Sequence, residues 1–227
     1  MFNIDLIELP KLVRIDGEMR YYETPTGERY PSVTTVLGNT KDKSGLDAWR
    51  KRVGEEEADR TMKRSGRRGT AVHLMCEKLV LNQPIDFKEE MPLNVMMFKQ
   101  LEKFLTENVN GIRVSEGSLF SHKLKVAGSV DLVANYRNHA AIIDFKTSAK
   151  NKRRDWIEDY FIQAAMYSYM LWEMTQLYHP KLVIAIAMEE EILPQIFEED
   201  VNNWLDKARD RCKQFHTINI RHSNIIL

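Results

Sequence analysis

Apolar positions along the chain change period several times, and each change marks an element. At the start, apolar residues fall in short alternating runs, Lys11–Asp16, Arg20–Thr24 and Arg29–Thr35, separated by the turn signals Asp16-Gly17 and Pro25-Thr26-Gly27. This predicts irregular β structure up to about position 37. From Gly45 to about Arg64 the spacing becomes helical and strongly charged, including the acidic run Glu55-Glu56-Glu57, and Gly66 is expected to break that helix. A second helix is predicted over about Gly69–Leu81, ended by Asn82-Gln83-Pro84. A third covers about Leu93–Asn108, with Val95, Met96, Phe98, Leu101, Phe104 and Leu105 as its core stripe. Ile112–Ser121, Lys123–Asn135 and His139–Thr147 then alternate at strand length with short breaks between them, the pattern of an antiparallel meander. A long helix over about Trp156–Leu177 follows. After it come a continuous apolar run, Leu182–Met188, a short strand over Leu193–Phe197 and a last helix over about Val201–His216. The Leu182 run does not alternate, which fits a strand buried on both faces.

The order α-β-β-β-α-β predicts one α/β domain with a mixed sheet. Residues 1–68 form a β region plus charged helical segment, and residues 69–227 form the core with its C-terminal helix, the two making one structural unit. The chain has 227 residues, 43% hydrophobic and 29% charged, enough to bury a core without staples. Its 33 Lys and Arg balance 33 Asp and Glu, which excludes binding to nucleic acid or anionic membrane by bulk charge but leaves a local basic groove open. Cys76 and Cys212 stand far apart with no CxxC spacing, so a disulfide framework, a Cys-based zinc site and a four-Cys iron–sulfur cluster within the chain are excluded. No basic or Arg-rich leader precedes Pro10, and the longest apolar runs are too short to span a membrane, so a cytoplasmic, reduced setting is expected.

Two strand segments place charge where strands are otherwise apolar: Gly128-Ser129-Val130-Asp131 and Ile142-Ile143-Asp144-Phe145-Lys146-Thr147-Ser148. Strand side chains alternate, so Asp144 and Lys146 share one face while Ile143 and Phe145 take the other. Burying either charge costs several kcal/mol unless something pairs with it. An internal ion pair or a strand end emerging into solvent accounts for Asp144 and Lys146 by themselves. Asp131, on the preceding run, brings a second carboxylate within reach of the neighbouring strand, and two carboxylates with a lysine make a plausible hard-metal site. His73 lies on a helix where Glu77 could simply pair with it, and Gln163 and Tyr167 share a helix face that could be a polar edge of the core. Glu116, between Val114 and Leu119, is either an acid behind the site or a solvent-facing residue.

Taken together, Gly69/His73, Gly128/Asp131, Asp144/Lys146 and Gln163/Tyr167 form the ordered set Gly-x-x-x-His, Gly-x-x-Asp, Asp-x-Lys and Gln-x-x-x-Tyr on helix, strand, strand and helix. This resembles the RecB-like branch of the PD-(D/E)xK nuclease superfamily, and among its members the phage-type and mitochondrial exonucleases, which also carry an upstream element like Pro31-Ser32-Val33-Thr34. The resemblance spans about Pro31–Met188. It implies a restriction-endonuclease-like αβββαβ core with a mixed central sheet, an N-terminal β-hairpin region and a helical arch over about Lys41–Arg68 for single-stranded DNA. It further implies His73, Asp131, Asp144 and the Phe145 carbonyl as ligands of one or two Mg²⁺ or Mn²⁺ ions, Lys146 as the catalytic lysine, and Gln163, Tyr167 and Glu116 in support. DNA contacts are expected from Ser32, Thr34, Arg50, Arg64, Arg67 and Arg68, and from Thr147, Ser148, Lys150, Lys152, Arg153 and Trp156 after the catalytic strand. The absence of a leader favours a phage or bacterial setting. Replication or recombination proteins are the partners the resemblance implies. A nicking or structure-specific endonuclease would use the same residues, and an inactive DNA-binding module could keep the fold. Phe161 and Trp156 are open to either a core or a base-stacking role.

Overall fold

The computed structural model describes residues 1–223, with side chains through position 218. Strands β1 (Val13–Ile15), β2 (Tyr21–Glu23) and β3 (Arg29–Pro31) form a small antiparallel sheet. The β pattern expected to run through Thr35 stops at Pro31. Ser32 then caps a helix, α1 (Val33–Thr40), its Oγ accepting from Thr35 N at 3.0 Å. A capping hydroxyl satisfies an orphan N–H of the first turn, which outweighs the weak strand preference of Val33, Thr34 and Thr35.

Helices α2 (Ser44–Val53) and α3 (Glu55–Val80) follow, and they correct the expected break. The chain turns at Gly54, whose φ of 88° favours glycine, and α3 passes straight through Gly66. A glycine inside a helix costs only about 1 kcal/mol, less than the burial of Val72, Met75, Cys76 and Val80 on the same helix returns. Position 68, taken as the end of the N-terminal region, therefore lies within a helix. Helix α2 buries no residue, and α3 buries only Ala58 before Arg68, so this hairpin stands off the body. Arg50 ties its corner, pairing with Glu55 and with Asp59 at 2.7 Å.

The core runs α4 (Pro92–Asn108), β4 (Val109–Ser121), β5 (Val126–Tyr136), β6 (His139–Ser148), α5 (Glu158–Thr175), β7 (Lys181–Met188), β8 (Gln195–Asp200) and α6 (Leu205–Ser223). The five strands lie in the order β4-β5-β6-β7-β8, with β6 and β7 parallel and the other pairs antiparallel. This is the expected αβββαβ core with a mixed sheet. Near the N-terminus, Asp5 and Ile7 donate to the Ile112 and Arg113 carbonyls at 2.9 Å and cover the outer edge of β4.

Alternation along β6 and β7 divides the interior in two. Ile142, Ile184 and Ile186 pack under α1, α5 and α6 with Phe161, Met166 and Leu171. Ile143, Phe145, Val183 and Ala185 face α3 and α4 with Met75, Phe98 and Leu101. Gln100, buried on α4, ends β7: its Nε2 donates to the Met188 and Glu191 carbonyls at 2.7 Å and its Oε1 accepts from Met188 N at 3.0 Å. Backbone groups past the end of the ladder are thereby satisfied. Glycine is required at 128 on β5, where a Cβ would sit 3.0 Å from Cε1 and 3.2 Å from Oη of Tyr167. Gly128→Ala should therefore destabilise the protein, and Gly128→Val by more, roughly 1–3 kcal/mol in urea unfolding. Equal stability of the three proteins would contradict this close approach.

Candidate active site

The site forms where β5 and β6 part. Their ladder runs from Tyr136↔His139 to Leu132↔Ile143, and Asp131 and Asp144 are the next residues, facing each other just past its end. With no strand carbonyl left opposite it, Phe145 N donates instead to Asp131 Oδ2 at 2.7 Å. Strict alternation also fails here. Val114 and Leu119 of β4 share one core with Val130 and Val133 of β5, so both strands slip in phase across Glu116 and Asp131. Glu116 absorbs the slip with a φ of 48°, rare for a residue with a Cβ. The slip turns its carboxylate toward Asp131.

His73 reaches these acids from α3. Its Nε2 lies 2.9 Å from the Phe145 carbonyl, which fixes the ring with that nitrogen as donor. Nδ1 then faces Asp131 Oδ1 at 3.6 Å and Glu116 Oε1 at 3.7 Å. Donor atoms of His73, Glu116 and Asp131 all lie within 4.8 Å of one another. Burial lowers the His73 pKa, but Asp131 and Glu116 outweigh it and the net shift is upward. Burial raises the Asp131 carboxyl in spite of His73 and Lys146.

Asp144 is almost wholly buried and ion-paired with Lys146, two residues along the same face of β6. Its Oδ1 has no hydrogen-bond partner. Burial pushes this carboxyl up to about 6, Lys146 opposing and Asp131 adding to the rise. Burial alone would lower Lys146, yet Asp144 and Asp131 more than compensate, so it stays an ammonium. The Tyr160 ring, 5.2 Å from Lys146 Nζ, covers that ammonium. Tyr160 follows the cations Lys150, Lys152 and Arg153 in the sequence, and no local pattern links it to Lys146. The clustered donors of His73, Glu116 and Asp131, with the unpaired oxygen of Asp144 on the neighbouring strand, fit a hard divalent cation. His73, Glu116, Asp131 and Asp144 are the side chains that would hold it.

The remaining expected residues divide by burial. Phe145, expected to offer its carbonyl to an ion, has that oxygen engaged by His73. Gln163 and Tyr167 are buried, Gln163 Nε2 donating to Tyr167 Oη at 3.3 Å, and burial keeps the Tyr167 phenol well above its ordinary pKa. Ser32 is a buried helix cap with Thr34 Oγ1 2.9 Å away, and Ser148 is buried in a turn with Lys150. Neither is exposed to a DNA strand. Arg50 is spent on the α2–α3 corner, and Arg68 is buried and paired with Glu189. Thr147 is half-buried, its Oγ1 beside Gly69. Arg64, Arg67, Lys150 and Arg153 are exposed, and Lys152 is half-buried. Trp156 is 64% exposed with Arg153 over its ring at 5.4 Å, whereas Phe161 is fully buried.

The mixed sheet thus opens onto two strand carboxylates, a lysine and an imidazole. The chain belongs to the PD-(D/E)XK nuclease superfamily, whose family model matches residues 89–222. His73 and the α2–α3 hairpin lie outside the matched segment. Two curated relatives are mitochondrial genome maintenance exonuclease 1 of Xenopus tropicalis, 30% identical over 60% of this chain and 42% of its own, and that of Homo sapiens, 28% identical over 54% and 38%. The chain thus spans less than half the length of these relatives. A crystal structure of a protein from Eubacterium rectale aligns over 70% of this chain and 69% of its own at a TM-score of 0.48 and 16% identity. Among the described residues no helix is long and apolar enough to cross a membrane.

Two outcomes follow from the geometry. Because folded Asp144 takes up its proton at higher pH than the unfolded side chain, its contribution to stability is complete below about pH 4 and is lost as pH rises to about 6. Without metal, wild type should therefore lose stability relative to Asp144→Asn over that window, on the order of 1–3 kcal/mol, and added Mn²⁺ should restore wild type only. A pH-independent difference between the two would contradict the burial. Glu116→Gly removes both the strained φ and the carboxylate: its metal-free melting temperature should match or exceed that of wild type, while the rise on adding Mn²⁺ shrinks. A clear loss of metal-free stability would mark Glu116 as a packing residue.

Proposed function

We propose that the protein is a divalent-metal-dependent DNA exonuclease that prefers single strands and uses Mg²⁺ or Mn²⁺. The observation that carries this reading is the buried Asp144–Lys146 pair set beside the His73, Glu116 and Asp131 donors at the opened end of the sheet. A bound cation would supply charge for the scissile phosphate and acidify a water. The chain's own part is positional. Asp131 and Glu116 concentrate negative charge that a bound cation would neutralise, and His73 is held in one tautomer by Phe145. Lys146, kept protonated by two carboxylates, orients the attacking water and stabilises charge on the phosphate oxygens rather than acting as a base. Gln163 and Tyr167 brace the strand bearing Asp131 through Gly128.

Exonuclease action is favoured by the α2–α3 hairpin, which stands clear of the body like an arch under which a strand end passes, and by the names of the curated relatives. The exposed Trp156–Arg153 platform offers one base a stacking surface without sequence preference. DNA replication, repair or recombination is the setting in which such an activity serves, alongside the proteins that generate or coat single strands. Labelled linear single strands should be degraded in Mg²⁺ or Mn²⁺ and a covalently closed circular strand left intact. Asp144→Ala should abolish cleavage, and Lys146→Ala should lower it roughly 10²–10³-fold with the fold retained. Cutting of the circle would make the enzyme an endonuclease, and full activity in Asp144→Ala would remove the assignment.

A further inference from the structure

Spacing along α3 allows Glu77 to pair with His73, four residues before it, but the structure does not pair them. Both His73 nitrogens are engaged elsewhere, Nε2 with the Phe145 carbonyl and Nδ1 with Asp131 and Glu116. Glu77 is half-buried, and its carboxylate has no hydrogen bond or ion pair among the described residues. Burial raises its pKa, and the Glu116 charge adds to the rise. With Gly69, Thr70, His73, Leu74 and Glu116 it lines an open cavity of about 530 Å³, a size that takes a small organic ligand.

Helix α3 crosses the open end of the sheet, and charge changes sign along it. Arg68 pairs with Glu189 just past β7, Gly69 lies beside Thr147 of β6, and His73 reaches Asp131 of β5 and Glu116 of β4. Strand β4 is the edge of the sheet, so the cavity and Glu77 lie at the edge-strand side of the site. Lys63, Arg64 and Arg67 precede His73 on the β7 side, and Lys146, Lys150 and Arg153 lie on and after β6. The cavity lining, by contrast, includes no lysine or arginine, and Lys78, next to Glu77, is not part of it. A cation held by Glu116 would offset that carboxylate and leave Glu77 uncompensated. A phosphate entering here would meet like charge, which disfavours binding. A hydroxyl would instead donate to Glu77. Leu74, 46% exposed, adds an apolar wall. A hydroxyl beside an apolar, aromatic body is a nucleoside, and in a nucleic acid a nucleoside with no further phosphate occurs only at a chain end.

We propose that this cavity seats the terminal nucleoside of a DNA strand, Glu77 accepting a hydrogen bond from its free hydroxyl and Leu74 packing against its base, so that the site selects ends that carry a hydroxyl over ends that carry a phosphate. The inference rests on the nuclease reading for its ligand, and its test reads binding separately from cleavage. Fluorescence anisotropy of internally labelled oligo(dT) is measured in Mn²⁺ on Lys146→Ala protein, in which cutting is slow. A strand with hydroxyls at both ends should bind about tenfold more tightly than the same strand phosphorylated at both ends. Strands phosphorylated at one end only then identify the terminus that enters. Adding Glu77→Gln should tighten binding of the phosphorylated strand until the two differ by less than about threefold, a gain that a misfolded protein would not show. Leu74→Ser should weaken binding of the hydroxyl-ended strand and leave one whose terminal nucleotides are abasic unaffected. A closed circular strand, having no end, should bind no better than the phosphorylated one. Equal affinity for hydroxyl and phosphate ends, discrimination unchanged by Glu77→Gln, or a circle bound as tightly as the hydroxyl-ended strand would each overturn the proposal. Failure of wild type to cut any strand in Mn²⁺, with the end discrimination intact, would instead count against the nuclease reading alone.

Discussion

A carboxylate and an ammonium share the buried end of β6, and most of the surrounding architecture serves to keep them there. Asp144 and Lys146 are held on the face of β6 that also carries Ile142, against the core that holds Ile184 and Ile186, where an unpaired charge would cost several kcal/mol. Their pairing offsets part of that cost and leaves one Asp144 oxygen unsatisfied. Buried polar atoms without partners are uncommon in native proteins, and a cation held here would satisfy this one. The same constraint explains the separation of β5 from β6: a continued ladder would have given Phe145 N a strand carbonyl and left Asp131 free to turn elsewhere. With the ladder ended, Asp131 serves the backbone with one oxygen and the site with the other.

The scaffold holds this opening from both faces. Under α5, Tyr167 meets Gly128 so closely that a Cβ there would sit 3.0 Å from its ring, which ties α5 to the strand carrying Asp131. Above the other face, His73 is pinned to Phe145, and Arg68 and Gln100 tie α3 and α4 to the end of β7. Long-range polar contacts of this kind fix helices to the strand ends more exactly than apolar packing alone. Among the described residues, the α2–α3 hairpin before Arg68 has no such anchorage beyond Arg50 at its own corner.

The core was legible because its signals are local and periodic. The meander, the twice-buried β7 and the long α5 each announce themselves by spacing, and Asp131, Asp144 and Lys146 stand out as charges in apolar strands. What stayed hidden depends on contacts between distant segments. Ser32 looks like part of a strand until its hydroxyl is seen to cap α1. Gly66 looks like a helix end, but tertiary burial carries α3 past it and the turn falls at Gly54. Glu116 reads as solvent-facing under strict alternation, and only the phase slip shared by β4 and β5 turns it toward His73. Arg68 and Arg50 look like phosphate contacts in a basic run, yet their carboxylate partners lie 121 residues away in one case and past a glycine corner in the other. Charge runs show where cations are dense, not which of them are already spoken for.

Family membership makes phosphodiester cleavage the expected chemistry, and the proposal within it is specific: the clustered donors of His73, Glu116 and Asp131, with Asp144 on the neighbouring strand, would hold a cation. Calorimetric titration of Mn²⁺ into wild type and Asp131→Asn tests that claim most directly. The account predicts saturable binding to wild type that is lost or strongly weakened when the Asp131 charge is removed. Equal binding by both proteins would contradict it.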